Sequence, residues 1–144
     1  MKKLLSTLFL SAAFAFSGCA TVYRMPEAKA LPREQLAILE DNSGTGSDVI
    51  VFTVDGRDRG AGFFKRFELA PGRRAIGLSG NVHGGMYADE RTLYFTAEAG
   101  KVYELKTETI RQPQSLLKPS TWERGRWRAW IIDKGTGKRV DEGR

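Results

Sequence analysis

Cysteine and histidine are nearly absent from this chain: Cys19 and His83 are the single examples of each among 144 residues. An intramolecular disulfide is thereby excluded, and so is a cysteine-rich zinc site. A His-based metal cluster or a His-dependent triad lacks its material, and no cofactor motif is present. The chain also lacks an apolar run long enough to span a membrane. Its most apolar stretch, residues 4–16, is interrupted by Ser6, Thr7 and Ser11. As a helix it would rise about 20 Å, short of the ~30 Å hydrocarbon core of a bilayer. A strong charge excess is missing too. There are 23 Lys and Arg against 17 Asp and Glu, an excess of six that falls to four without Lys2 and Lys3. A balance this mild is compatible with anionic lipid heads or acidic glycans, and is also ordinary for a soluble domain.

What is present begins at the N-terminus. Lys2 and Lys3 precede the apolar stretch, and the small residues Ser17 and Gly18 follow it before Cys19. This is the layout of a secretory signal peptide. Ordinary cleavage near Ala15 or Gly18 would leave a free thiol. Phe16-Ser17-Gly18-Cys19, however, resembles the bacterial lipobox, with Phe16 where that pattern usually has Leu. The resemblance implies a lipoprotein cut before Cys19, with diacylglycerol on the sulfur and palmitate-type acylation. Each buried methylene contributes about 0.8 kcal/mol, and stable anchoring takes more than one acyl chain. The residue after the cysteine is Ala20 rather than Asp. In a Gram-negative cell the resemblance then implies the outer membrane, with the domain in the periplasm. The expected partners are membrane lipid through Cys19 and an envelope protein or glycan. Nucleic acid is not expected at such an address.

The organisation predicted is a leader over residues 1–18, a lipid-anchored tether over 19–34 and a β domain over 35–144. The tether reading rests on Pro26, Pro32 and several charges without an apolar period. Beyond it, short β-branched and aromatic runs alternate with turn residues, which predicts strands at 36–40, 49–54, 63–69, 74–78, 92–97, 101–106 and 127–133. Asp55-Gly56, Pro71-Gly72 and residues 135–138 read as turns, with a short tail strand near Val140. Residues 92–97 and 101–106, flanking Glu98-Ala99-Gly100, read as a hairpin, with Tyr103 and Leu105 on one face. About seven strands and no convincing amphipathic helix predict an all-β protein, an antiparallel β-sandwich of immunoglobulin-like build. A small barrel is the alternative.

Val54-Asp55-Gly56-Arg57, then Gly60, Phe67-Glu68-Leu69-Ala70-Pro71-Gly72-Arg73 and Ile76-Gly77-Leu78 resemble a PEGA-type domain. Residues 95–105 resemble its closing hairpin, and the likeness covers about residues 49–106. The ending, residues 127–137, is similar to that of small proteobacterial envelope lipoproteins. The chain departs from the short PEGA module in an insertion at 79–91 and in extra strands at both ends. The resemblance implies an extracytoplasmic β-sandwich module and carries over no catalytic residue.

Several residue groups are candidates for chemistry. Residues 80–86 form a glycine-rich loop holding His83, a conceivable metal ligand or pH sensor, although a solvated His on a hairpin connection explains it more simply. Trp122, Arg124, Arg126, Trp127, Arg128 and Trp130 interleave aromatic and basic groups. A surface of Trp122, Arg126, Arg128 and Trp130 would suit stacking on sugars or binding of anionic heads. Strand alternation also accounts for it, placing Trp127, Ala129 and Ile131 on one face and Arg128, Trp130 and Ile132 on the other. The carboxylates Asp55, Asp58, Asp89 and Glu90 fall in turns, with nothing to set a pair at a working distance. Asp41-Asn42 with Asp48 lacks EF-hand spacing, and Gly135-Thr136-Gly137-Lys138 lacks the full phosphate-loop pattern. With no catalytic constellation, the expected function is a non-enzymatic, lipid-anchored interaction or structural module. A glycan- or peptidoglycan-binding lipoprotein is the alternative.

Overall fold

The computed structural model describes residues 21–42, 49–82, 87–110 and 126–142. Among them are nine strands: β1 (Thr21–Arg24), β2 (Ala37–Asp41), β3 (Val49–Val54), β4 (Arg57–Asp58), β5 (Phe64–Leu69), β6 (Gly72–Val82), β7 (Tyr87–Ala97), β8 (Val102–Ile110) and β9 (Arg126–Asp133). They form two sheets, ordered β1-β5-β2-β8-β9 and β4-β3-β6-β7. Two 3-10 turns, Pro26–Ala30 and Arg33–Gln35, are the helical elements among the described residues. The chain is an all-β sandwich rather than a barrel.

The core lies between the sheets. Leu39, Phe67, Tyr103, Leu105 and Ile131 from the first sheet meet Val51, Ile76, Leu78 and Phe95 from the second, all buried. Tyr103 meets Phe95 edge-on at 5.0 Å between ring centroids. The β3 run of Val and Ile suits a half-buried pleated surface. Val49 and Val51 point inward and Ile50 outward. A bulge between Val51 and Thr53 then resets the alternation, so that Val54 is the next residue buried. Opposite the bulge stands Gly77, where a Cβ would lie 2.0 Å from Thr53 Oγ1. Asp55 (φ 51°) and Gly56 (φ 75°) make the expected tight turn between β3 and β4.

Four expectations change. First, residues 92–97 and 101–106 are not hydrogen-bonded to each other. They belong to β7 and β8, which lie in different sheets. The chain crosses between sheets at 98–101, where Gly100 N–H donates to Leu36 C=O and Ile38 N–H to Lys101 C=O. Second, the first sheet is mixed rather than wholly antiparallel, with β1 parallel to β5 and β2 parallel to β8. Such crossings return the chain to the first sheet in the same direction. Third, much of the insertion at 79–91 is strand, since Ser79 pairs with Glu90 and Val82 with Tyr87 in the β6–β7 ladder. Fourth, the segment expected to be a tether is folded from Thr21 onward. Met25 and Ala28 are buried, Met25 N–H donates to Glu68 C=O, and its sulfur accepts the Ala70 N–H at 3.1 Å. Proline and charge discourage long apolar periods, but a four-residue edge strand needs none.

The sandwich has two distinct ends. β1 and β5 begin at one of them, and β2 finishes there because Glu40 pairs with Arg66. β8 runs parallel to β2 and finishes there too, while antiparallel β9 begins there. Trp127 of β9 lies against Gly80 of β6, which pairs with Val49, so β3 also begins at this Thr21 end. The Asp55-Gly56 turn and the 98–101 crossing mark the opposite, Gly56 end.

Candidate interaction surface

Strand β9 is an edge of the first sheet. Trp127 and Ile131 are buried on its inner face, whereas Arg128 is exposed and Trp130 half-buried on its outer face. The alternation read from sequence therefore holds, and it divides the tryptophans between core and surface. Trp130 stands opposite Lys106 of β8, and Arg128 opposite Glu108. Arg126 opens the strand opposite Ile110. Trp122, Arg124, His83, Asp48 and Cys19 lie outside the described residues, as does most of the 80–86 loop. Of the four proposed surface residues, then, the structure places Arg128 and Trp130 on one face.

The outer face around Trp130 is a band of paired charges. Glu104 accepts from Lys106 Nζ at 2.7 Å and from Asn42 Nδ2 at 2.6 Å. Lys134 Nζ reaches Glu40 at 2.5 Å, and Glu68 is paired with Arg24. The Lys106 and Asn42 hydrogen bonds hold the Glu104 carboxyl below its usual range, more than offsetting the opposing effect of burial. Ile38 lies on this outer face between Glu68 and Val102 and is 8% exposed.

The inner side of β9 faces β7 across a cleft of about 100 Å³ lined by Arg91, Leu93, Tyr94, Trp127, Ala129 and Arg139. Small-molecule sites usually exceed about 300 Å³, so this space suits a few waters rather than a substrate. The Arg91 guanidinium stacks 4.4 Å from the Trp127 ring. The buried Trp127 indole N–H has no acceptor among the described residues. Sequence reading missed this pairing because Arg91 and Trp127 are brought together only by the facing of the two sheets.

The tail then closes this side of the sandwich. Val140 N–H donates to Ile131 C=O, Ile131 N–H donates to Asp141 Oδ1 at 2.8 Å, and Glu142 N–H donates to Tyr94 C=O. Asp141 is fully buried at its side chain and also pairs with Arg139. Glu142 meets Arg73 at 2.8 Å. One edge of each sheet, β9 and β7, is thus laced by the four tail residues Arg139 to Glu142.

Of the four carboxylates expected in turns, Asp89 and Glu90 lie instead in β7, opposite Gly80 and Ser79, while Asp55 and Asp58 hold backbone. Asp55 accepts from Ala75 N–H at 2.8 Å and Arg74 at 2.6 Å, and Asp58 accepts from Gly60 N–H. Asp133 accepts the Gly135 and Thr136 amides, so residues 135–138 form a structural turn. Burial pushes the Asp133 carboxyl up, but Lys101 and the two turn amides outweigh it and bring it below its ordinary value. Asp41 is buried and Asn42 is committed to Glu104. Among the described residues no three His, Cys, Asp or Glu side chains are grouped to hold a metal ion. No helix among them is long and apolar enough to cross a membrane. No protein-family model, curated protein or solved structure matches this chain.

Proposed function

We propose that this chain is a lipid-anchored, non-enzymatic cell-envelope protein whose sandwich, PEGA-like in its Val54-Asp55-Gly56-Arg57 turn, acts as an interaction or structural module. The observation that carries this reading is the order of the N-terminal features. A basic start and an apolar stretch lead to Phe16-Ser17-Gly18-Cys19, and the first strand opens at Thr21. The sole cysteine stands where acylation would consume its thiol. The non-enzymatic reading is supported by how the acids are used. Asp55, Asp58, Asp133 and Asp141 each hold turn or edge amides, and Glu40, Glu68 and Glu104 are paired with cations. The proposed address is the periplasmic face of the outer membrane.

Replacing Cys19 with Ser is expected to abolish incorporation of radioactive palmitate and to move the protein out of the membrane fraction. Labelling that persists would sink the anchor. A second reading, binding of peptidoglycan or another glycan, is favoured by the half-buried Trp130 beside exposed Arg128. It expects the Cys19→Ser protein to be retained on purified peptidoglycan and the added Trp130→Ala change to release it. No retention rejects that reading.

A further inference from the structure

We propose that the Thr21 end of the sandwich docks on the bilayer surface, with Phe63 placed among the lipid headgroups. This inference rests on the reading that Cys19 carries the lipid. A chain advances at most about 3.6 Å per residue. Two residues therefore keep Cys19 within roughly 7 Å of Thr21, with no room for a spacer. The anchored domain must then meet the membrane with the end where β1 and β5 begin.

Among the described residues, that end presents exposed apolar side chains. Four large hydrophobic side chains are exposed among the described residues: Val22, Ile50, Phe63 and Tyr94. Three of them belong to the Thr21 end. Val22 is the second residue of β1, Ile50 the second of β3, and Phe63 immediately precedes β5, whose first residue pairs with Thr21. Phe63 is 89% exposed. Tyr94 is the exception, lying elsewhere under the Arg73 guanidinium. Single exposed apolar residues are ordinary on soluble proteins. Here three of four gather at the end to which the lipid would be tied.

The segment presenting Phe63 is braced rather than loose. The Arg59 guanidinium donates to the carbonyls of Val51 and Gly62 and lies 5.1 Å from the Phe64 ring. Asp58 Oδ1 holds the Gly60 N–H at 2.6 Å. Gly60 (φ 81°) and Gly62 (φ 133°) supply the left-handed turns that throw Phe63 outward while Phe64 folds in against Tyr23. Exposed Lys65 and Arg66 follow directly. An aromatic ring flanked by cations on flexible stems matches the layering of acyl boundary and phosphate heads. One phenylalanine binds membranes weakly by itself. The anchor makes its insertion intramolecular, and that raises the effective concentration at which it competes with water.

The acylated full chain provides its own test, because lipid on Cys19 leaves no other thiol. A nitroxide on Ala61→Cys reports the loop with Phe63 intact, and one on Ala99→Cys reports the Gly56 end. In vesicles of phosphatidylethanolamine and phosphatidylglycerol, the label at 61 is expected to collide with oxygen several-fold more, relative to a water-soluble nickel chelate, than the label at 99. Adding Phe63→Ser should bring the ratio at 61 down toward that at 99. Equal ratios at the two sites, or a ratio at 61 indifferent to Phe63→Ser, would overturn the docking while leaving the anchor standing. A Cys19 thiol that takes up label in the unsubstituted chain, with no acyl mass, would overturn the anchor and the docking together.

Discussion

At the scale of single residues, the tightest constraint is the contact between Gly80 and Trp127. A Cβ at Gly80 would lie 2.2 Å from Trp127 Nε1 and within 2.7 Å of two further indole atoms. The ring is rigid, is buried at 3% exposure and carries Arg91 on its face, so it has little freedom to retreat. Gly80→Ala is therefore expected to lower unfolding stability by about 1–3 kcal/mol, as overpacking does. Urea denaturation followed by tryptophan fluorescence measures it, and an unchanged midpoint would show that the ring is displaced at no cost. Sequence marks Gly80 as part of a glycine-rich loop, since glycine runs usually signal turns. Its use is instead close approach between strands of different sheets, which has no local signature. Asp55-Gly56 is the contrasting case. Its positive φ values are a property of two neighbouring residues and are legible without any tertiary partner.

At the scale of elements, β1 and the two-residue β4 are the strands that sequence reading does not find, and β1 is the more consequential. Four residues with one inward aromatic, Tyr23, carry too little period to stand out, and Pro26 follows closely. The strand exists because β5 offers it an edge and because Tyr23 packs with Phe64 and Phe67 at centroid distances of 5.9 and 5.8 Å. Met25 then seals the end of this cluster. Met25→Ala is expected to cost about 2–5 kcal/mol through the cavity it leaves, with the Ala70 N–H losing its acceptor as well. A spacer residue would cost nothing. Equilibrium unfolding of the mature chain, comparing Met25→Ala with an exposed control such as Glu34→Ala, decides between the two. The strand at 49–54 is legible because β-branched and aromatic residues run unbroken there, and that at 127–133 because Trp127, Ala129 and Ile131 alternate with Arg128, Trp130 and Ile132. The β7–β8 crossing reads as a hairpin in sequence because an arch and a hairpin share the same pattern of two alternating strands around a glycine turn.

For the molecule as a whole, paired charges wrap the outer face of the first sheet. Glu104 is held low by Lys106 and Asn42, so its folded pKa lies below the ordinary value of 4.5. The sign follows from linkage: a depressed carboxylate contributes stability that is present above about pH 4.5 and is lost as pH falls through the folded value. The urea midpoint is therefore expected to fall on acidification from pH 5 to pH 3, and to fall less in Glu104→Gln. An equal fall in both would place the acid sensitivity in other carboxylates. The sequence alone determined the strand-rich class, the turns at Asp55-Gly56 and residues 135–138, and the inward and outward faces of β9. These depend on near neighbours and on the two-residue period of a strand. Only the tertiary structure decided which sheet each strand joins, that Thr21–Arg24 is a strand of the first sheet, and that Gly80 seats Trp127. A strand's alternation is the same whichever sheet it enters, and the choice is made by the apolar area that all the strands can bury together.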